Sequence, residues 1–217
     1  MSFYLGIDFG TTGVRTSIID KNKKELINFS VSIDDPISKG PLVYQNPSLW
    51  WNALIKNLTY LKTKIELNKI ERLSIDGTSG TILITDHSGN PLDNALMYND
   101  ASAVKESKLV ESISDNHPIV STSTNALVRA LSLINKLKKE KYRILHQADW
   151  IACKLINDYT YSDENNALKL GYDCVERSWP KWFDQLPIEM SSLPNIKIPG
   201  QPIGELRNSE LIDLGFN

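Results

Sequence analysis

A chain of 217 residues is long enough for one large domain or two small ones, and an apolar content of 41% can supply a sizeable core. With 24 basic and 26 acidic residues, the net charge of −2 gives no general attraction to nucleic acid or to an acidic membrane. Cys153 and Cys174 stand far apart without metal-ligand spacing, which excludes a disulfide framework and fits a reducing cytoplasm, and no apolar run approaches the ~20 residues that cross a bilayer.

Residues 3–8 and 14–20 read as strands, rich in Ile and Val and bounded by Gly. The turn "KNKK" at 21–24 leads to a third strand at 25–33, and the three predict an antiparallel meander. Residues 34–46, "DDPISKGPLVYQN", read as a loop. Asn46 is then a candidate helix cap with Pro47 at the first helical position. The helix runs to about Ile65, and Leu49, Trp50, Ala53, Leu54, Leu58 and Leu61 recur at helical spacing, so both tryptophans read as packing residues.

Buried strands are expected at 72–76 and 81–86, with "GTSG" between them, followed by a turn at 87–94 and a short strand at 95–100. Helices are expected near 101–113, 126–140 and 146–156, the second capped by Asn125. The basic run "KLKKEKYR" at 136–143 suits the last turns of a helix, where cations complement the dipole. Residues 158–173 read as a long irregular connection, with Asn165 and Asn166 as candidates to order it. A short aromatic helix at 176–186 and an extended tail at 191–204 follow. The order β-β-β-α-β, then a more helical half, implies an α/β sheet with mixed strand directions. His87, His117 and His146 show no mutual spacing for a metal site or a triad and read as surface or turn histidines.

The chemistry concentrates at "IDFGTTG", residues 7–13. Gly10 and Gly13 let the backbone approach an anion without a Cβ in the way, and Thr11 and Thr12 add hydroxyl donors. Asp8, at a strand end, repels phosphate but can hold Mg²⁺, which then bridges to phosphate oxygens. No Lys follows and no helix begins here, which distinguishes the turn from a Walker loop. The same residues also read as a tight hairpin in which Gly supplies positive φ. Their place at the first hairpin of a β-β-β-α-β order favours phosphate.

"GIDFGTTGVRTSIID" resembles the first phosphate motif of the actin, Hsp70 and sugar-kinase superfamily. "LSIDGTSGTILITDHSGNPLDNALMYNDASA" at 73–103 and "ADWIACKLINDYTYSDENNALKLGYD" at 148–173 resemble segments of the FGGY carbohydrate kinases, xylulokinase-like, and most of all their D-ribulose kinase branch. The resemblance covers essentially the whole chain. It implies a ribonuclease H-like α/β domain with a mixed sheet flanked by helices, and ATP and Mg²⁺ as cofactors. It makes Asp8 the candidate catalytic and metal-facing residue, and Gly10, Thr11, Thr12 and Gly13 the phosphate-binding turn.

Small and hydroxylated residues after a buried strand, as in "IDGTSGT", open a pocket and can pair with a polyol. The resemblance puts Thr78, Ser79 and Gly80 against the sugar. Xylulokinases carry a Met-His pair in place of Thr78 and Ser79, so this chain departs from a xylulose-specific pattern there. Asp100 ends "LMYND", where the family carries Trp-Asn-Asp or Trp-Gln-Asp. It is a candidate for binding sugar hydroxyls, for capping a helix near Ala101, or for both. Asp76 reads as structural, and Asp149 as part of a helix that packs through Trp150.

The family's base, an Asp in a Gly-rich segment, and its nucleotide domain follow the region where this chain stops. The expectation is therefore the sugar-binding N-terminal domain, residues 1–217, of a ketopentose kinase about twice as long, inactive alone, with a small polyol as ligand. Its cleft face, left without the second domain, would favour self-association. A ribonuclease H-like nuclease fits less well, because it needs several convergent carboxylates and a basic surface. A non-catalytic sugar-binding module is the nearer alternative.

Overall fold

The computed structural model describes residues 2–114, 120, 122–137 and 141–217. The strands β1 (Phe3–Phe9), β2 (Gly13–Asp20) and β3 (Glu25–Ser32) form the expected antiparallel meander. Two short strands follow, β4 (Ile37–Lys39) and β5 (Leu42–Gln45), then helix α1 (Ser48–Lys62) and strand β6 (Ile70–Gly77). β6 returns parallel to β1, giving a four-stranded sheet in the order β3-β2-β1-β6. Alternation along β1 buries Phe3, Leu5, Ile7 and Phe9 on one face and leaves Tyr4, Gly6 and Asp8 on the other.

Helix α1 covers the buried face. Trp50, Leu54, Leu58 and Leu61 have no exposed surface, as their helical spacing requires. Both tryptophans are packing residues, each with a polar anchor: Trp50 Nε1 donates to Gln45 Oε1 at 2.6 Å and Trp51 Nε1 to Glu210 Oε2 at 2.8 Å. Asn57, fully buried on the same helix, donates to the carbonyl of Val14 at 3.0 Å and accepts from Thr16 Oγ1 at 2.6 Å, fixing α1 over β2. Pro47 holds the cap position of α1, one residue later than expected, and Asn46 Oδ1 just before it accepts from the Ser48 amide at 3.0 Å.

The rest of the chain builds a second sheet. It comprises β4, β5, β7 (Ile82–Thr85), β8 (Ala95–Leu96) and β9 (Arg143–His146), in the order β4-β5-β8-β7-β9. Helices α2 (Val104–Ile113) and α3 (Ala126–Ile134) belong with it, and α4 (Gln147–Ile156) runs on directly from β9. The two sheets carry separate apolar cores, one around β1, β2, α1 and α4, the other around β7, α2 and α3. Asn125 caps α3 as expected, its Oδ1 accepting from the Leu127 amide at 2.7 Å. A small parallel pair, β10 (Tyr161–Asp163) with β11 (Asn195–Lys197), the one-turn helix α5 (Glu164–Ala167) and the terminal helix α6 (Ser209–Leu214) complete the fold.

Several elements differ from the sequence reading. Residues 34–46 contain the β4–β5 hairpin, because Gly40 turns the chain at φ +63° and Pro36 and Pro41 fall outside the paired residues. α3 ends at Ile134, and Arg143 opens strand β9, so the basic run lies beyond the helix; its residues 138–140 lie outside the described residues. The connection at 158–173 is ordered by β10 and α5. His146 is buried at the junction of β9 and α4, whereas His87 is exposed and His117 lies outside the described residues.

Candidate active site

Strands β1 and β6 run parallel, so their carboxyl ends lie side by side, and both candidate turns leave from those ends. The amide of Thr78 donates to the carbonyl of Phe9 at 3.0 Å and the Thr78 hydroxyl reaches the same oxygen at 3.2 Å. This tie joins the turn at 10–13 to the turn at 78–81.

The first turn is closed by the Gly10 amide donating to the carbonyl of Gly13 at 2.9 Å. Thr12 is exposed and Thr11 half-buried, so the turn faces solvent rather than the core. Among the described residues, neither threonine's amide nor its hydroxyl donates to a protein group, which leaves a row of donors open to an anion. The carbonyls are engaged: Thr11's accepts from Gln45 Nε2 at 3.3 Å and Thr12's from the Ile33 amide at 2.9 Å. Neither glycine has a positive φ, so the hairpin explanation of their freedom does not apply. Gly13 is instead confined by packing, since a Cβ there would lie 3.0 Å from the Val31 carbonyl oxygen.

Asp8 projects from the uncovered sheet face, its side chain 47% exposed, with Arg15 Nη1 3.6 Å from its Oδ2. Asp76 is its register neighbour on β6, and both line an open cavity of about 280 Å³ with Gly6, Arg15 and Ser74. Asp76 Oδ1 also accepts from the Gly77 amide at 2.8 Å, so its local role is to shape the strand end.

The second turn opens on a separate cavity of about 330 Å³, lined by Ser79, Gly80, Tyr98, Thr124, Arg129 and Lys169 among others. Ser79 is exposed there, and Gly80 sits at φ +88°, a conformation that costs a side-chain-bearing residue strain. Thr78 does not line the cavity; its amide also donates to Gln147 Oε1, at 3.2 Å.

Asp100 lies behind the cavity, fully buried. Its carboxylate accepts from the Val43 amide at 2.7 Å, the Ser102 amide at 3.2 Å and the Ser102 hydroxyl at 2.9 Å. These bonds fold the 100–102 segment; helix α2 starts only at Val104, with Ala103 at its cap, so Asp100 does not cap it. The Asp100 carboxylate also faces Arg129, whose guanidinium burial pulls down to about 10 while Asp100 opposes that shift.

Sequence reasoning missed three residues that hold these turns: Gln45 under Thr11, Gln147 under Thr78, and Arg129 under Gly80. Each lies one strand or helix away from the motif it supports, so motif reading has no signal for it. Asp149 accepts from Ser162 Oγ at 2.7 Å and Asn166 Nδ2 at 2.8 Å, which bears out the ordering role expected of Asn166.

The fold is an α/β domain in which two sheets are joined at a pair of open turns. The backbone superposes on gluconate kinase from Lactobacillus acidophilus with a TM-score of 0.86 at 20% identity, covering 100% of this chain and 46% of that one. The model of the FGGY family of carbohydrate kinases, N-terminal domain, matches residues 3–217, and the chain belongs to that family. It is 24% identical over 230 residues to xylulose kinase of Staphylococcus xylosus, covering 100% of this chain and 47% of the relative. It is likewise 24% identical over 260 residues to ribulokinase of Staphylococcus aureus (strain Newman), with the same coverages of 100% and 47%. The chain thus spans about half the length of the curated relatives it matches. No helix among the described residues is long and apolar enough to cross a membrane.

Proposed function

We propose that this chain is the sugar-binding half of an ATP-dependent kinase that phosphorylates the terminal hydroxyl of a ketopentose, D-ribulose in the first instance. The observation that carries the reading is the adjacency of two open turns at the carboxyl ends of β1 and β6, one rich in unpaired donors, the other lining a cavity with Ser79. Family membership supports kinase chemistry on a carbohydrate, and the names xylulose kinase and ribulokinase among the relatives support a ketopentose. Ser79, exposed in the cavity where xylulokinases carry the His of their Met-His pair, favours ribulose over xylulose.

The turn fits a nucleotide's terminal phosphates: its threonine amides and hydroxyls are free and solvent-facing. The half-exposed Asp8 carboxylate fits a hydrated Mg²⁺ in the same place. Bound Mg·ATP supplies the transferable phosphoryl group and neutralises the charge that develops on it. The protein's part on this side is to hold phosphate with Gly10–Gly13 and to orient the sugar with Ser79 and Gly80. Asp100 shapes the sugar cavity from behind through its bonds to Val43 and Ser102.

The base that accepts the hydroxyl proton, and the adenosine site, belong in this reading to a C-terminal half of similar length. The 217-residue chain is then inactive alone and binds polyol weakly, and sedimentation at rising concentration tests whether it self-associates at the cleft face. A coupled ADP-release assay with D-ribulose, D-xylulose and glycerol tests the whole reading. Turnover in a protein of the relatives' length with a ribulose preference supports it; no turnover with any of the three rejects it.

A further inference from the structure

Arg129 is 1% exposed, yet its guanidinium is spent on the backbone of the candidate sugar site. Nη2 donates to the carbonyl of Gly80 at 2.7 Å, Nη1 to the carbonyl of Met97, and Nε to the carbonyl of Asn125 at 3.2 Å. Gly80 ends the turn that presents Ser79, Met97 precedes Tyr98 on the cavity wall, and Asn125 starts the helix that forms its floor. One side chain on α3 therefore ties the start of its own helix to two segments distant in sequence, at Gly80 and Met97, that meet beside this cavity. A charge this deeply buried is costly, and an apolar residue would fill the same space in the second core more cheaply. What an apolar residue cannot do is fix three carbonyls in a fork.

We infer that Arg129 is a positioning residue for sugar recognition: it borders the cavity, but its N–H groups are turned to backbone carbonyls, and it acts by setting the Ser79–Gly80 turn and the Tyr98 wall at the spacing a polyol requires. Gly80 is coupled to it, because a Cβ at Gly80 would lie 3.3 Å from Nη2. The inference rests on the sugar-site reading above.

The test uses the 217-residue chain and its R129M and R129K variants, titrated calorimetrically with D-ribulose, D-xylulose and glycerol. Amide hydrogen exchange is followed in parallel at residues 78–81 and 97–100. R129M should bind the preferred polyol about tenfold more weakly or worse, and exchange should rise in those two segments alone. R129K keeps the charge but has no fork, and should fall between. Should R129M fail to fold, R129K decides: binding equal to the parent chain overturns the inference. Equal binding by R129M, or faster exchange throughout the second core, also overturns it and leaves the site reading standing. Where the parent chain gives no heat, the same variants are titrated in a protein of the relatives' length, and absence of polyol binding there rejects the site reading, and the inference with it.

Discussion

Thr78 donates twice to one oxygen, the carbonyl of Phe9, through its amide at 3.0 Å and its hydroxyl at 3.2 Å. The last residue of β1 and the first residue after β6 are thereby locked at van der Waals range. The motif read from the sequence as a sugar contact is, in the structure, the joint between the two candidate turns. A T78V variant keeps the amide bond and loses the hydroxyl one. It should cost about 1 kcal/mol of unfolding free energy, measured in urea, and leave the spectroscopic fold intact.

Asp8 and Ser79 sit on opposite sides of that joint and should separate in their effects. In a kinase of the relatives' length, D8N should lower kcat by about a hundredfold or more with little change in the KM for sugar. S79A should raise the sugar KM by several-fold with kcat largely kept. Both side chains are solvent-facing, so neither variant should move the melting temperature much. Steady-state kinetics with sugar and ATP varied separately make the comparison.

Asp149 is the hub of the segment after α4, accepting from the His146 amide, Ser162 Oγ and Asn166 Nδ2. D149A strands these donors in a buried place and should destabilise the chain by about 2–3 kcal/mol. Limited proteolysis should then cut first between 158 and 173.

Cys153 is fully buried, and that burial lifts its thiol to about 12, with Asp149 and Asp158 adding to the rise. The thiol is neutral in the folded chain and more acidic once unfolded. Its contribution to stability is thus complete below the unfolded value near 9 and is lost as pH rises from there towards 12. In a C174A background, a thiol reagent at pH 8 should label nothing until denaturant unfolds the protein. Immediate labelling would show that the α4 packing is open.

Leu58, on α1, has no exposed surface and packs into the core that joins the helix to the first sheet. L58A should cost about 2–5 kcal/mol, read as a lower urea midpoint at unchanged slope.

Much of this was legible from residues alone, and the reasons are local. The meander, α1 and the Asn125 cap rest on alternation, helical spacing and a side-chain oxygen at a helix start, all short-range signals. The Asp8–Gly13 turn and the Ser79 segment stood out because small and hydroxylated residues follow strands. Strands β4, β5 and β9 did not stand out, because partners remote in sequence make them strands: Tyr44 pairs with Leu96, and His146 with Ile82. Arg143 and Ile144 carry no strand alternation that survives next to a basic run. The buried state of His146 likewise depends on the second sheet closing over it, which no neighbouring residue announces.

The turn at 78–81 is the shortest covalent step between the two sheets, from β6 in the first to β7 in the second, and Gln147 clasps it from the far side. On the proposed reading, backbone connectivity sets the span between the phosphate-holding turn and the Ser79 cavity, so residues lining that cavity can be exchanged while the first turn keeps its bearings.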